Sequence, residues 1–200
     1  MLRSNRRCGM TVVTVGDIAK VFLGVNLGRL SKGTKAEDVP LINIKDMVNG
    51  GLTSPASLQL VQPAEQEHYR LQKGDVLVSV RGTLLKTALV AEEHVGAYAS
   101  VNIAIVRPSR SIRPETLLAL FRSARVEQLL RAETVESVMP GLHLKSLENI
   151  RFYLPPLEHQ AQLASLLAAA EEQYRVGLAL IEARRAAAMD VIDRTLEPAE

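Results

Sequence analysis

Pro155-Pro156-Leu157-Glu158-His159-Gln160 marks the point where this chain changes character. Upstream lie short apolar runs punctuated by glycine. Downstream no proline recurs until Pro198, and the stretch is rich in Ala, Leu, Glu, Gln and Arg. Those residues lose little freedom in a helix, whereas two consecutive prolines halt whatever precedes them. The pattern predicts a compact mixed domain followed by one long helix.

The helix carries two apolar stripes. One runs Leu163, Leu167, Ala170, Tyr174, Leu178, Ile181, Arg185, Met189, Ile192, Leu196. Its mean step of about 3.67 suits a straight or slightly right-handed helix better than a strict heptad. The other runs Leu166, Ala169, Gln173, Val176, Leu180, Ala183, Ala187, Val191. At 1.5 Å per residue such a helix is roughly 60 Å long, more than a small domain can cover. The surplus apolar surface asks for a partner, and Leu163, Leu167, Tyr174, Leu178, Ile181, Met189 and Ile192 form the candidate dimer or partner face. The alternative is a helix folded back in two pieces, broken at Gly177.

The preceding residues read as follows. Val12 to Ala19 is a short strand or turn leading into a helical turn, and Gly24 to Lys35 is a loop. Val39 to Ile44 is β-branched and predicts a strand, stopped by Asn49-Gly50-Gly51. Lys73-Gly74-Asp75 turns into the strand Val76–Val80, which Arg81-Gly82-Thr83 breaks. Thr87 to Glu92 resumes it, and Tyr98 to Val106 reads as one further strand. Pro114 opens a helix, with apolar positions from Leu117 to Leu130 at roughly helical spacing. Leu144 to Ile150 reads as a short helix, and Arg151 to Leu154 as a strand. Strands outnumber helices without βαβ alternation. The fold class is therefore α+β, a curved and mostly antiparallel sheet with small helices, then a long coiled-coil-type helix.

Composition narrows the function. An apolar fraction of 47% supports a core, and with aromatics at 4% and no Trp it is built from Val, Leu, Ile and Ala. A net charge of +2 neither demands nor excludes nucleic acid, so the distribution of charge decides. The lone Cys8 suits a reducing cytoplasm, and no apolar run is long enough to span a membrane. Residues 1–10, with Arg3, Arg6 and Arg7, are expected to be a disordered, solvated terminus, and Met10 is an alternative start.

Catalytic constellations are missing. His68, His94, His143 and His159 have no metal-ligand spacing. Gly82 to Thr87 lacks the glycines of a phosphate loop. Asp38 with Asn43-Ile44-Lys45 has an amide where a nuclease needs its second carboxylate. Basic residues gather instead in loops, beside short polar side chains: Arg29, Lys32 and Lys35; Lys45; Arg81, Gly82, Thr83 and Lys86; His143 and Lys145. Lys and Arg neutralise phosphates, and Arg, Asn, Ser and Thr read base edges. Charge alone describes solvated loops equally well.

Four segments in order carry a resemblance: Val39-Pro-Leu-Ile-Asn-Ile-Lys-Asp-Met-Val-Asn-Gly-Gly51; Lys73-Gly-Asp-Val-Leu-Val-Ser-Val-Arg-Gly-Thr-Leu-Leu-Lys-Thr-Ala-Leu-Val90; Ala99-Ser-Val-Asn-Ile-Ala-Ile-Val-Arg-Pro108; and Leu147-Glu-Asn-Ile-Arg-Phe-Tyr-Leu-Pro-Pro-Leu-Glu-His-Gln160. Together they resemble the specificity (S) subunit of type I restriction–modification systems, in a half-length form. The resemblance implies a target recognition domain over about 11–155 and a spacer and dimerisation helix over about 156–197. It also implies that the chain is a non-catalytic subunit whose partners are double-stranded DNA, methyltransferase (M) subunits and a second copy or another half-subunit. The S-adenosylmethionine chemistry would belong to the methyltransferase, with no cofactor in this chain; a restriction (R) subunit is left open. Ser100 and Asn102 join the loop residues above as implied DNA contacts. Two positions depart from the family pattern: Leu85 stands where a glycine usually precedes the lysine, stiffening the Lys86 loop, and Val101 stands where Gln is common. The alternative function is a protein-binding adaptor that uses the helix alone.

Overall fold

The structure, a computed structural model, describes residues 11–26, 38–48, 50–62, 67–82, 85–135 and 142–196. The expectations for residues 1–10, for most of the 24–35 loop, for Asn49 and for Thr83 lie outside the described residues. The chain divides into two compact units, Met1–Ala164 and Ser165–Glu200.

The first unit is built on a four-stranded antiparallel sheet. Its strands are β2 (Ala19–Leu23), β7 (Val76–Ser79), β8 (Thr87–Leu89) and β10 (Ile103–Pro108), in the order β2-β10-β7-β8. A three-stranded sheet, β6-β3-β9, joins β6 (Gln59–Val61), β3 (Val39–Ile42) and β9 (Tyr98–Ala99), with β3 and β9 parallel. Two small antiparallel pairs complete it. β1 (Thr11–Thr14) runs against β11 (Arg151–Leu154), and β4 (Met47–Val48) against β5 (Gly51–Leu52). The predicted α+β architecture holds, distributed over small sheets rather than one curved surface. The core is aliphatic: Ile42, Leu71, Leu77, Val90, Ile103 and Ile105 are buried together, with Phe22, Ile44 and Leu52 packed against them.

Local chemistry explains where the elements stop. Thr14 and Asp17 form a reciprocal capping box on the single turn α1 (Val15–Ile18), so β1 ends there and β2 follows at once. No local sequence signal announces β2. The apolar run Tyr98–Val106 is not one strand. Ile103 N–H donates to Ser100 O at 2.9 Å, and this turn separates β9 from β10. It lets Ala99 pair in parallel with β3 while Ile103 begins antiparallel pairing with β7. The helix opened by Pro114 likewise becomes two, α2 (Pro114–Phe121) and α3 (Ala124–Val135). Ser123 caps the second, its carbonyl accepting from Glu127 N–H at 3.0 Å. The short helix near Leu144 is α4 (Leu144–Glu148).

The long helix α5 spans Leu157–Leu196 without a break, and Gly177 passes through its interior as an ordinary helical residue. Glu158 in the first turn and Arg194 in the last complement the helix dipole. The two halves of Pro155-Pro156…Gln160 have separate tasks. Pro156 O accepts the Gln160 N–H at 3.0 Å, starting the helix. The Gln160 side chain, 1% exposed, bonds to the loop before α2.

Candidate nucleic-acid interface

Strand directions decide which loops share an edge. β7 ends at Ser79, which pairs with Ile103, the first residue of β10. β8 begins at Thr87, opposite Val78. β2 ends at Leu23, opposite Ala104, and β3 and β9 end side by side at Ile42 and Ala99. Hence the segments 24–26, 43–46, 80–82, 85–86 and 100–102 all leave from one end of the sheets. The opposite end carries the Gln72–Asp75 turn, Arg107 and Val90, tied by a buried ion pair.

Hydrogen bonds gather this edge further. Val80 N–H donates to Asn102 O at 3.0 Å, and Leu142 N–H donates to Val80 O at 3.0 Å. Three segments thus meet at Val80, which brings Arg81, Asn102 and the neighbourhood of His143 together. Arg81, Gly82, Asn102, His143 and Lys145 are exposed. Gly82 sits at φ +99°, a conformation glycine adopts without strain, while a Cβ there would meet nothing within 4 Å. Its glycine is therefore required by the backbone alone.

Lys45 and Lys86 are associated by a second set of bonds. Lys86 is fixed across the hairpin, its N–H donating to Ser79 Oγ at 2.8 Å and its carbonyl accepting from Ser79 N–H at 2.9 Å. Its Nζ donates to Ile44 O at 3.2 Å, beside the exposed Lys45. The Ile44–Asp46 turn that carries Lys45 is locked by Asp46, whose Oδ2 accepts from Asn43 N–H at 2.9 Å and whose carbonyl accepts from Thr53 N–H at 2.9 Å.

The other predicted residues divide into those the structure describes and those outside it. Ser100 is 7% exposed, and its Oγ has no hydrogen-bond partner among the described residues. Arg29, Lys32, Lys35 and Thr83 lie outside the described residues. Sequence reasoning missed Arg122, the C-cap of α2, which reaches this edge through Thr87 and Gly50. On α5, Tyr174 (62% exposed), Ile181 (64%), Leu163, Met189 and Ile192 are exposed, and Leu167 and Leu178 are half-covered. Among the described residues no three His, Cys, Asp or Glu side chains gather as metal ligands, and no helix is long and apolar enough to cross a membrane.

A small recognition domain that mounts polar and basic loops on one sheet edge, with a long helix after it, is the class of protein these features define. The family model of the type I restriction modification DNA specificity domain matches residues 8–175. The chain belongs to that family, whose specificity subunits are in general non-catalytic. Three solved structures share the fold. A structure concerned with complex assembly and conformational transition of the type I R-M system superposes with TM-score 0.64 at 19% identity, over 96% of this chain and 45% of the other. The HsdS subunit from Thermoanaerobacter tengcongensis gives 0.61 at 20% identity, over 87% and 40%. The S subunit of the type I restriction–modification system from M. genitalium gives 0.51 at 14% identity, over 96% and 46%. The chain thus spans less than half the length of these proteins. No curated protein matches it in sequence.

Proposed function

We propose that this chain is a DNA-recognition specificity subunit that reads one half-site of a duplex with the edge bearing residues 43–46, 80–86, 100–102 and 142–145. The observation that supports this most is the convergence of separate basic loops at one end of the sheets, stitched at Val80 and at Lys86. In this reading Lys45, Arg81, Lys86 and Lys145 anchor phosphates, with Arg29, Lys32 and Lys35 adding to them. Asn102 and His143 read base edges, with Thr83 as a further candidate contact, and Gly82 lets the backbone approach the duplex. Residues 11–155 form the reading head and 156–197 the spacer.

The apolar flanks of α5 pair with the same helix of a second copy, so two heads sit apart on the DNA under a two-fold axis. A helix of roughly 60 Å corresponds to about 17 base pairs at 3.4 Å each. A two-fold arrangement favours an interrupted palindrome as target. The chain itself performs no catalysis. Methyltransferase subunits docked on the pair supply S-adenosylmethionine chemistry, and a restriction subunit joins where cleavage is coupled.

The test is selection of bound duplexes from a random pool by the chain together with its methyltransferase, followed by titration of the recovered site against salt. Enrichment of an interrupted site, with affinity falling steeply as salt rises, is expected. Recovery of no common sequence, or binding indifferent to salt, sinks the reading.

A further inference from the structure

Arg122 ends α2, and its guanidinium joins two segments remote from it in sequence. Nε donates to Thr87 Oγ1 at 3.1 Å and Nη2 to Thr87 O at 3.3 Å. Nη2 also donates to the carbonyl of Gly50, at the turn between β4 and β5. Thr87 directly follows Lys86, and Gly50 sits at φ +75° in the hairpin that continues from the Lys45 turn. The Lys86 Nζ bond to Ile44 O, 3.2 Å long, is a second tie between the same two segments. Between these ties opens a cleft of ≈ 470 Å³, walled by the hairpin on one side and by Leu85–Thr87 on the other. Met47 and Leu52 of the hairpin pack into the core with Ala88 and Val90, and the polar ties add to that packing. A planar guanidinium holds its donors at fixed angles where an ammonium does not.

We infer that Arg122 is a positioning residue for the recognition edge. It fixes the hairpin that follows Lys45 against the strand that follows Lys86, and so sets the spacing of these two cations before DNA is met. The inference rests on the DNA-reading function proposed above in its consequence, but its geometric part stands without DNA. Pre-set spacing means that less ordering is needed when the duplex arrives.

The experiment compares the full chain with Arg122→Gln and Arg122→Lys. Amide hydrogen exchange on the free proteins is read over 47–52, 85–89 and 103–107. Exchange in the first two segments is expected to quicken about tenfold or more in Arg122→Gln, while β10 keeps its protection. Arg122→Lys, which keeps the charge and donors but loses the planar fork, is expected to fall between. Unchanged exchange in both segments, or equal quickening throughout the domain, overturns the inference. On duplex DNA, Arg122→Gln is expected to bind about tenfold more weakly with an unaltered slope of log affinity against log salt. A slope reduced by about 0.9 identifies Arg122 as a phosphate contact and overturns the positioning role. If the unmodified chain with its methyltransferase binds no duplex at all, the DNA reading fails, and the exchange measurement alone decides whether Arg122 holds the segments.

Discussion

Gln160 Oε1 accepts the backbone N–H of Arg113 at 2.8 Å, joining the first turns of the long helix to the loop that begins α2. The same amide donates through Nε2 to Ser111 O at 3.1 Å and to Pro155 O at 2.9 Å. Thr116 Oγ1 donates to the Gln160 carbonyl at 3.3 Å. One buried side chain therefore satisfies one donor and two acceptors of the main chain, which fixes where α5 starts. Gln160→Ala leaves all three without partners and is expected to lower unfolding free energy by about 2–4 kcal/mol in urea denaturation. Gln160→Glu keeps the acceptor for Arg113 but turns a carboxylate oxygen toward two carbonyls. That penalty exists only for the ionised form. Gln160→Glu should thus regain stability relative to Gln160→Ala as pH falls through the carboxylate range, and a parallel pH dependence of the two variants contradicts the assignment.

At the end of the sheet away from the recognition edge, Arg107 forms a forked pair with Asp75, Nε to Oδ1 and Nη2 to Oδ2 at 2.8 Å each. Asp75 is 1% exposed and also accepts from Gln72 N–H at 2.8 Å, so the turn into β7 depends on it. Removing one member leaves a poorly solvated charge. Asp75→Ala is expected to cost about 3–5 kcal/mol, and the added change Arg107→Met to restore part of it. A double-mutant cycle by chemical denaturation measures the coupling; strictly additive losses contradict a direct pair.

The long helix and the loops of the recognition edge were legible in the sequence for different reasons. Pro155-Pro156 and the proline-free stretch after it are covalent facts about backbone freedom, and α5 follows them closely. Basic loops are visible because strands end at glycine and polar residues. Pairing is not visible in that way. Ala19–Leu23 carries Lys20 and borders a capped turn, so nothing local marks it as the edge strand beside β10. The run from Tyr98 to Val106 is apolar apart from Ser100 and Asn102, and contact with both β3 and β7 divides it. Arg122 was illegible because its partners are a hydroxyl and carbonyls 35 and 72 residues away, which composition does not signal.

The capping box at Thr14 gives a pH-dependent signature. Both the backbone N–H and the hydroxyl of Thr14 donate to Asp17 Oδ2 at 2.7 Å. The backbone bond, and after it the side-chain bond, hold the Asp17 carboxyl below its ordinary value. A depressed folded-state value stabilises the fold at pH above the ordinary aspartate range, and this is lost as pH falls through the depressed value. In a carbon-detected NMR titration Asp17 is expected to have its midpoint below that of an ordinary aspartate, about 3.9. Thr14→Val should move it upward by removing the hydroxyl bond; an unmoved midpoint contradicts the hydroxyl's part.

Gly24 leads β2 toward the recognition edge, donating its N–H to Ile103 O at 2.9 Å while Val25 N–H donates to Ala99 O at 2.7 Å. A Cβ at Gly24 would collide with the carbonyl oxygens of Ala99 and Ser100. Those atoms belong to the turn between β9 and β10, so neither side can yield without disturbing two sheets. Gly24→Ala is therefore expected to destabilise by about 3 kcal/mol or more, or to shift the 99–103 turn. A drop of a few tenths in thermal denaturation, with unchanged amide spectra for Ser100–Asn102, contradicts that close approach.

Leu178 and Ile181 lie one turn apart on α5, the first half-covered and the second 64% exposed. Charged bridges, Glu172 with Arg175 at 2.7 Å and Arg194 with Asp190 at 2.7 Å, are exposed on the same helix and add little to its stability. The apolar residues are what a partner helix would cover. Burying each side chain contributes about 1.5–3 kcal/mol to association. Leu178→Asp with Ile181→Asp is expected to raise the dissociation constant of a self-associated chain by roughly a hundredfold to ten-thousandfold. Because both residues sit in the unit Ser165–Glu200, thermal unfolding of the first unit should change little. Sedimentation should then report monomer for the double variant and dimer for the parent. A variant that keeps the parent's mass places the self-association elsewhere, and a parent that stays monomeric at high concentration removes the second copy from the proposal.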